Sequence, residues 1–197
     1  MDTATRTWTR RIAASLLVLV AAIALGADRP APARPALTVY GADAEEQQGV
    51  GWAFGRFEAG ALAGLQPLEV YLHTSKDDCK GALGRYRMGR VDLCTKESSE
   101  KYAKKYALHE MAHAWVETNV DAGTLERFME LRGVEVWNDP RFPWKERGSE
   151  QAAEIITWGL GEGDVVPLLP ELTDAATLAE LYELLTGRAP ITPEAGI

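Results

Sequence analysis

Two histidines and a glutamate stand close together in this sequence, in an arrangement that suits metal chemistry. His109 and His113 are four residues apart, and Glu110 directly follows the first of them. Side chains at this spacing share one face of an α-helix, about 5–6 Å apart at Cβ. Two neutral imidazoles at that separation can both bind one tetrahedral zinc ion, whose Zn–N bonds are about 2.0–2.1 Å long. Glu110 projects about 100° around the helix from His109, where it can take a proton from a water that the zinc activates.

The residues around this pattern predict a helix that packs through one face. The apolar stripe at helical spacing consists of Leu108, Met111, Ala112, Trp115 and Val116. His109 and His113 fall on the flank of the stripe, and Glu110 falls on the side away from the predicted core. The alternative interpretation is that the pattern arose by chance and that the histidines only satisfy hydrogen bonds. The chain has 3 histidines, and two of them lie in this pattern, which favours a zinc site.

A second helical segment offers carboxylates for the same site. Glu150 and Glu154 are four residues apart, so they share a helix face. The apolar residues around them predict a largely buried helix, and buried carboxylates are costly unless a metal or a donor meets them. One carboxylate could bind zinc while the other orients a ligating imidazole. The alternative is an exposed acidic helix face without a ligand.

His73 and Glu117 are the other candidates for a third zinc ligand. His73 lies on a predicted strand and shares its polar face with Glu69 and Tyr71, where a solvated histidine is more common than a ligand. Glu117 lies one turn beyond His113, and an unbroken helix carries it along the axis, away from a metal between the two histidines. A ligand from a separate element can approach from the open side.

Taken together, the chain resembles the gluzincin group of zinc metallopeptidases, especially its small secreted bacterial members. The resemblance rests on His109-Glu110-x-x-His113, followed downstream by Glu150-x-x-x-Glu154. It implies that Glu150 is the third zinc ligand, that Glu154 supports a ligating histidine and that Glu110 is the general base.

The resemblance covers the middle of the chain, from about Leu68 to Gly159, and it also implies a fold. The expected fold is zincin-like, with a small sheet whose edge strand holds the substrate beside the motif helix. Arg90–Cys94 is the segment that we expect to form this strand. A transition-state stabiliser is not fixed by spacing; the candidates are Tyr102, Tyr106 and Arg147.

The N-terminus predicts export. Arginines precede an uncharged apolar run from Ile12 to Ala27, which is the composition of a secretory signal peptide. The run is short for a membrane span, so an uncleaved anchor is the lesser alternative. We therefore expect a signal peptide at 1–27, a Pro/Ala-rich linker at 28–36 and a single domain at 37–197. The protein would then be secreted or held at the cell surface.

Charge and cysteine content narrow the possible partners and the compartment. The formal net charge is −8, and an acidic domain without a basic stripe is a poor nucleic-acid binder. Cys79 and Cys94 are the only cysteines, and in an oxidising compartment an even count predicts a disulfide. Closing a loop of this length contributes about 3 kcal/mol to stability.

The patterns predict an α+β domain, in which a small mixed or antiparallel sheet packs on the motif helix and further helices follow. The predicted elements are a helix from about Asp43 to Leu65, strands at Leu68–His73, Leu83–Arg87 and Arg90–Cys94, the motif helix from Ser98 or Ser99 to Glu117, a helix from Thr124 to Gly133, and helices around Glu150 and from Asp174 to Gly187. The function expected from sequence is zinc-dependent hydrolysis of peptide bonds. The alternatives are an amidase of cell-wall peptides and a non-catalytic exported domain that keeps zinc as a structural element.

Overall fold

The structure is a computed structural model, and it describes residues 37–41, 43–94, 100–161 and 174–191. The predicted signal peptide and linker, 1–36, lie outside the described residues, as do Ser98 and Ser99. The described residues all belong to one compact unit of the chain.

Four strands of the described chain form one mixed sheet. They are β1 (Leu37–Tyr40), β2 (Leu68–His73), β3 (Gly84–Arg87) and β4 (Arg90–Cys94). The strand order is β1-β2-β4-β3; β2 is parallel to both β1 and β4, and β3 is antiparallel to β4. A small mixed sheet is therefore confirmed. The expectation that Arg90–Cys94 is an edge strand is wrong, because β4 lies between β2 and β3, and β3 forms the edge.

A tight turn explains why β3 takes the edge position. Met88 and Gly89 connect β3 to β4 with φ angles of 45° and 81°. Two consecutive positive φ angles are typical of the two-residue hairpin turn whose twist matches that of paired strands. The hairpin pairs Arg87 with Arg90, so β3 folds back along the edge of β4 that faces away from β2.

The described residues also form five helices. Their bounds are α1 (Ala44–Ala59), α2 (Glu100–Asn119), α3 (Ala122–Arg132), α4 (Gly148–Leu160) and α5 (Ala175–Thr186), with one 3₁₀ turn at Trp144–Glu146. The side chain of Asp43 caps α1, Asp121 caps α3 and Asp174 caps α5. The prediction of Thr124 as an N-cap is wrong, because Asp121 accepts the hydrogen bond of the Thr124 backbone N–H at 3.0 Å. The predicted extension of the first helix to Leu65 is also wrong, since α1 ends at Ala59.

Helix α2 lies at the centre of the domain. It packs against α1, α4 and the β3–β4 hairpin, and its second half, from Ala107 to Val116, contributes seven residues to the hydrophobic core. The side chains of Leu108, Met111 and Ala112 are fully buried. Because neighbours cover α2 on several sides, burial extends well beyond the apolar stripe that the sequence predicts. This wider burial includes the side of α2 that carries Glu110.

The two faces of the sheet differ in polarity. The inner face contributes Val70, Val91 and Leu93 to the core, whereas the opposite face carries polar and aromatic side chains. On that outer face Nε2 of His73 lies 2.7 Å from Oδ1 of Asp92. None of the five described helices combines the length and the hydropathy that a membrane span requires.

A disulfide holds the loop before β3 against the end of β4. Cys79 and Cys94 are bonded, with their Cα atoms 5.9 Å apart. Both residues are almost completely buried. The predicted disulfide is therefore confirmed in the folded chain.

Candidate metal centre

Helix α2 brings three polar side chains of the motif to one place. His109 and Glu110 are buried, and His113 is half-buried. The imidazole rings of His109 and His113 stand nearly perpendicular, with centroids 4.8 Å apart. Their spacing of one helical turn, with the apolar face of α2 fixed in the core, directs both rings toward the same side of the helix.

Helix α4 supplies the third donor. Oε2 of Glu150 lies 3.2 Å from Nε2 of His109 and 3.2 Å from Nε2 of His113, and the two Nε2 atoms are themselves 3.2 Å apart. The three atoms therefore form a nearly equilateral triangle. In the described part of the chain this is the group of side chains that could hold a metal ion.

The start of α4 is fixed by backbone contacts, and this fixes Glu150. The N–H groups of Gly148 and Ser149 donate to the carbonyls of Val136 and Trp137, each at 2.9 Å. These bonds attach the first turn of α4 to the segment that precedes the 3₁₀ turn. Glu150 lies in that first turn and points back toward α2.

Glu154, one turn further along α4, contacts the other nitrogen of His109. Its Oε1 lies 3.0 Å from Nδ1 of His109, at ion-pair distance, although the ring N–H is not well aligned with the oxygen. A carboxylate on the far nitrogen of a ligating histidine fixes the tautomer and the orientation of the ring. Glu154 is almost completely buried, so this contact lies inside the protein.

Arg147 borders the site from the N-terminal end of α4. Its Nη1 lies 3.8 Å from Oε1 of Glu150, and its Nε donates to the carbonyl of Phe142 at 3.0 Å. The guanidinium group therefore faces the Glu150 oxygen that is not part of the triangle. Of the three candidates for stabilising a transition state, Arg147 and Tyr106 line the cleft, whereas Tyr102 is exposed and stacks on Tyr106 with centroids 6.1 Å apart.

Glu110 lies against the edge strand β3. A Cβ built on Gly84 would lie 2.4 Å from Oε1 of Glu110, so the carboxylate fits there because residue 84 has no side chain. The carboxylate also accepts a hydrogen bond from the backbone N–H of Tyr86. The sequence-based expectation that Glu110 points away from the core is therefore wrong, because β3 covers that side of α2.

The charges of the site shift the pKa values of its members in opposite directions. Burial lowers the pKa of His109, but the contacts with the Glu150 and Glu154 carboxylates outweigh burial and raise it to about 10. Burial raises the pKa of Glu150, but His109 and His113 outweigh burial and hold it well below its usual range. Burial is the main cause of a raised pKa for Glu110. The metal-free site is therefore a cluster of paired charges in which a cation can replace a proton.

A cleft of about 1210 Å³ opens onto these groups. Trp144 stacks on His109 with ring centroids 6.0 Å apart, and Trp137 also lines the cleft. The irregular loop that carries Trp137 and Trp144 therefore forms part of the cleft wall. The opposite wall consists of β3 and the loop before it, from Cys79 to Arg87.

The remaining sequence candidates lie outside the triangle of donors. His73 binds Asp92 on the outer face of the sheet. Glu117 lines the cleft but accepts a hydrogen bond from the hydroxyl group of Tyr86.

Sequence reasoning missed Gly84 and Tyr86 as site residues. The available signal was a glycine at the start of a strand pattern, which marks a close approach of another group.

Comparisons of the chain with protein-family models, with curated proteins and with solved structures give no significant match.

Proposed function

We propose that this protein is an exported zinc-dependent metallopeptidase that hydrolyses peptide bonds. One observation carries the proposal. Two histidine nitrogens and one glutamate oxygen converge at mutual distances of 3.2 Å beside a buried glutamate and an open cleft.

The donor triangle suits zinc. The three donor atoms are 3.2 Å apart. In a regular tetrahedron with edges of that length the centre lies about 2.0 Å from each corner, close to the usual Zn–N and Zn–O distances of about 2.0–2.2 Å. Two imidazoles and one carboxylate are also a donor set typical of catalytic zinc, whereas calcium and magnesium prefer oxygen donors throughout. Glu154 behind His109 supports the same assignment, since ligating histidines usually have such a partner.

The number of donors supports a catalytic site over a structural one. Structural zinc sites have four protein ligands, whereas catalytic sites have three and leave one position for water or substrate. Among the described residues, no fourth His, Cys, Asp or Glu joins His109, His113 and Glu150. A non-catalytic zinc-containing domain, the alternative, would have no use for an open position that faces a cleft.

Glu110 has the surroundings of a general acid–base group. Zinc bound at this site would supply a Lewis acid for a water and for the scissile carbonyl. Glu110 would take the proton of that water and then deliver it to the leaving amine. Burial raises the pKa of Glu110, and a raised pKa makes the carboxylate a better proton acceptor.

The edge strand β3 is the proposed support for the peptide backbone. In an antiparallel hairpin, alternate residues turn their backbone groups away from the partner strand. Leu83 pairs with Cys94 through the bond from Cys94 N–H to Leu83 O at 2.8 Å, so Gly84 and Tyr86 turn theirs outward, toward the cleft. Because Glu110 occupies the N–H of Tyr86, an extended peptide added to this edge would pair with the backbone of Gly84 and with the carbonyl of Tyr86. This arrangement of edge strand and motif helix supports a zincin-like fold.

Compartment and partners belong to the same proposal. The apolar N-terminal run and the confirmed disulfide support export and a secreted or cell-surface location. The proposed partner is a peptide or protein substrate, and the acidic composition argues against a nucleic acid. Any membrane contact would come through an uncleaved N-terminal segment.

The test compares the wild type with Glu110→Gln. Zinc content is measured by elemental analysis, and cleavage of a mixed peptide library is followed by mass spectrometry. We expect both proteins to hold one equivalent of zinc and the variant to lose about 10²–10⁴ in rate. A wild type that holds zinc and cleaves no peptide would instead support the non-catalytic alternative.

A further inference from the structure

The carboxylates that line the cleft are all engaged with neighbouring groups. Glu150 contacts both motif histidines and Glu154 contacts His109. Glu110 accepts from the backbone N–H of Tyr86, and Glu117 accepts from the hydroxyl group of the same residue. Glu150 and Glu154 are therefore paired with the histidines, whereas Glu110 and Glu117 are hydrogen-bonded to neutral groups and keep their negative charge.

The cations of the β3 wall are not paired in this way. Lys80, Arg85 and Arg87 line the cleft, and none of them forms an ion pair with another residue in the ranges that the structure describes. Asp92 faces Arg85 across the hairpin, but its carboxylate binds His73 at 2.7 Å and Arg90 at 2.6 Å. Although the chain has a net charge of −8, the charge that this wall offers to a ligand is positive.

The two arginines have the spacing of alternate positions on an edge strand. Arg85 and Arg87 lie on the same face of β3, about 6.6–6.8 Å apart along the strand. Tyr86 lies between the two arginines in the chain, and Gly84 precedes them. Both of these residues lie on the face of β3 toward α2. A peptide added to this edge would place every second side chain on the face of the arginines.

We propose that the cleft selects acidic peptides, with Asp or Glu side chains at two alternate positions that face Arg85 and Arg87. This inference rests on the proposed function, because it assumes that the substrate adds to β3. An opposite-charge pair across two strands contributes about 0.2–1 kcal/mol. Two such pairs correspond to a preference on the order of 2- to 30-fold. The local attraction acts within the screening length of about 8–10 Å, so it can exceed the repulsion by the distant negative charge.

The experiment measures peptide binding, which is independent of turnover. Zinc-loaded Glu110→Gln protein is titrated into three fluorescein-labelled peptides, and fluorescence anisotropy is recorded. One peptide has glutamates at two alternate positions, the second has glutamines there, and the third has the two glutamates at adjacent positions. We expect the first to bind about 2- to 30-fold more tightly than the second, and the third to lose most of this advantage.

Charge variants assign the preference to β3. In the same background, Arg85→Gln with Arg87→Gln should remove the difference between the first two peptides. The matched control, Arg127→Gln with Arg188→Gln, removes the same charge from exposed positions outside the cleft and should retain it. Zinc content and the far-UV circular dichroism spectrum verify that each variant is folded.

The outcomes separate this inference from the proposed function. The inference is overturned if the glutamine peptide binds as tightly, if no peptide binds, if the adjacent arrangement binds as well as the alternate one, or if the β3 variant keeps the preference. If the preference holds but the wild type cleaves none of the peptides, the selection of acidic peptides stands and the hydrolase proposal fails.

Discussion

Gly84 and Glu110 are in direct contact: the carboxylate of Glu110 occupies the space that a side chain at position 84 would need. An added Cβ would lie 2.4 Å from Oε1, 2.9 Å from Cδ and 2.9 Å from Cγ of Glu110. Separations under 3.0 Å are essentially never found for a real Cβ atom. The edge strand therefore determines where the carboxylate of Glu110 stands relative to the three candidate metal donors.

Gly84→Ala should reduce catalysis and leave zinc binding nearly unchanged. The new methyl group must displace the Glu110 side chain, because all three of its nearest atoms belong to that side chain. We expect kcat to fall by about tenfold or more, up to the loss of about 10²–10⁴ typical for removal of a general base. Rates on a cleaved library peptide and zinc content are the measurements.

Gly55→Ala is the control for this substitution. Gly55 lies in α1, and an added Cβ there would meet nothing within 4 Å. Its activity should equal that of the wild type. Equal activity of the Gly84 variant would contradict the positioning role of β3.

Alanine substitutions at Glu150, Glu154 and Glu117 should lower zinc affinity to different degrees. Glu150→Ala removes a donor of the triangle and should abolish zinc retention. Glu154→Ala leaves the donors in place but frees the His109 ring, and it should weaken binding about 10–100-fold. Glu117→Ala should change affinity little, because Glu117 binds Tyr86 instead. Chelator competition at one fixed pH gives the three values; tight binding by the Glu150 variant would refute its assignment as a ligand.

Zinc affinity should rise with pH across the neutral range. In the metal-free protein the pKa of His109 is raised from 6.5 to about 10, so the ring is protonated at pH 7. This protonation stabilises the metal-free fold fully below pH 6.5, and the contribution is lost as the pH rises through about 10. Zinc binds only the neutral ring and must release this proton, so affinity should increase about tenfold per pH unit between pH 7 and 9. Calorimetric titration of zinc into the metal-free protein, repeated in buffers of different ionisation enthalpy, gives the number of protons released. Binding without proton release would contradict the raised pKa of His109.

Loss of the disulfide should destabilise the domain and loosen one wall of the cleft. Cys79→Ser with Cys94→Ser removes a crosslink worth about 3 kcal/mol for a loop of this size. Cys79 and Lys80 line the cleft, so KM should increase more than kcat falls. Urea unfolding and steady-state kinetics measure the two effects, with the disulfide-bonded wild type as the comparison. Unchanged KM would mean that the loop keeps its place without the bond.

The parts of the site that follow from local spacing were predictable from sequence. The shared helix face of His109 and His113 follows from the α-helical repeat, and the hairpin follows from alternating residues around Met88 and Gly89. The disulfide follows from the cysteine count and the predicted export. The convergence of Glu150 on the two histidines agrees with the pairing that the family resemblance implies.

The surroundings of Glu110 were not predictable from the same patterns. A helical wheel places Glu110 opposite the apolar stripe, but it contains no information about a strand that packs on that side. The order of β3 and β4 depends on which strand pairs with β2, and both segments alternate polar and apolar residues in the same way. The parallel strand β1 was missed because four residues beside a linker give too short a pattern.

The separation of the donors along the chain links metal binding to folding. Glu150 follows His113 by 37 residues and His109 by 41, so the unfolded chain does not hold the three donors together. A metal that binds the native state alone shifts the folding equilibrium by mass action, about 2.7 kcal/mol when the free ion is at 100 times its Kd. The midpoint of thermal unfolding should therefore rise with zinc concentration and fall on addition of a chelator.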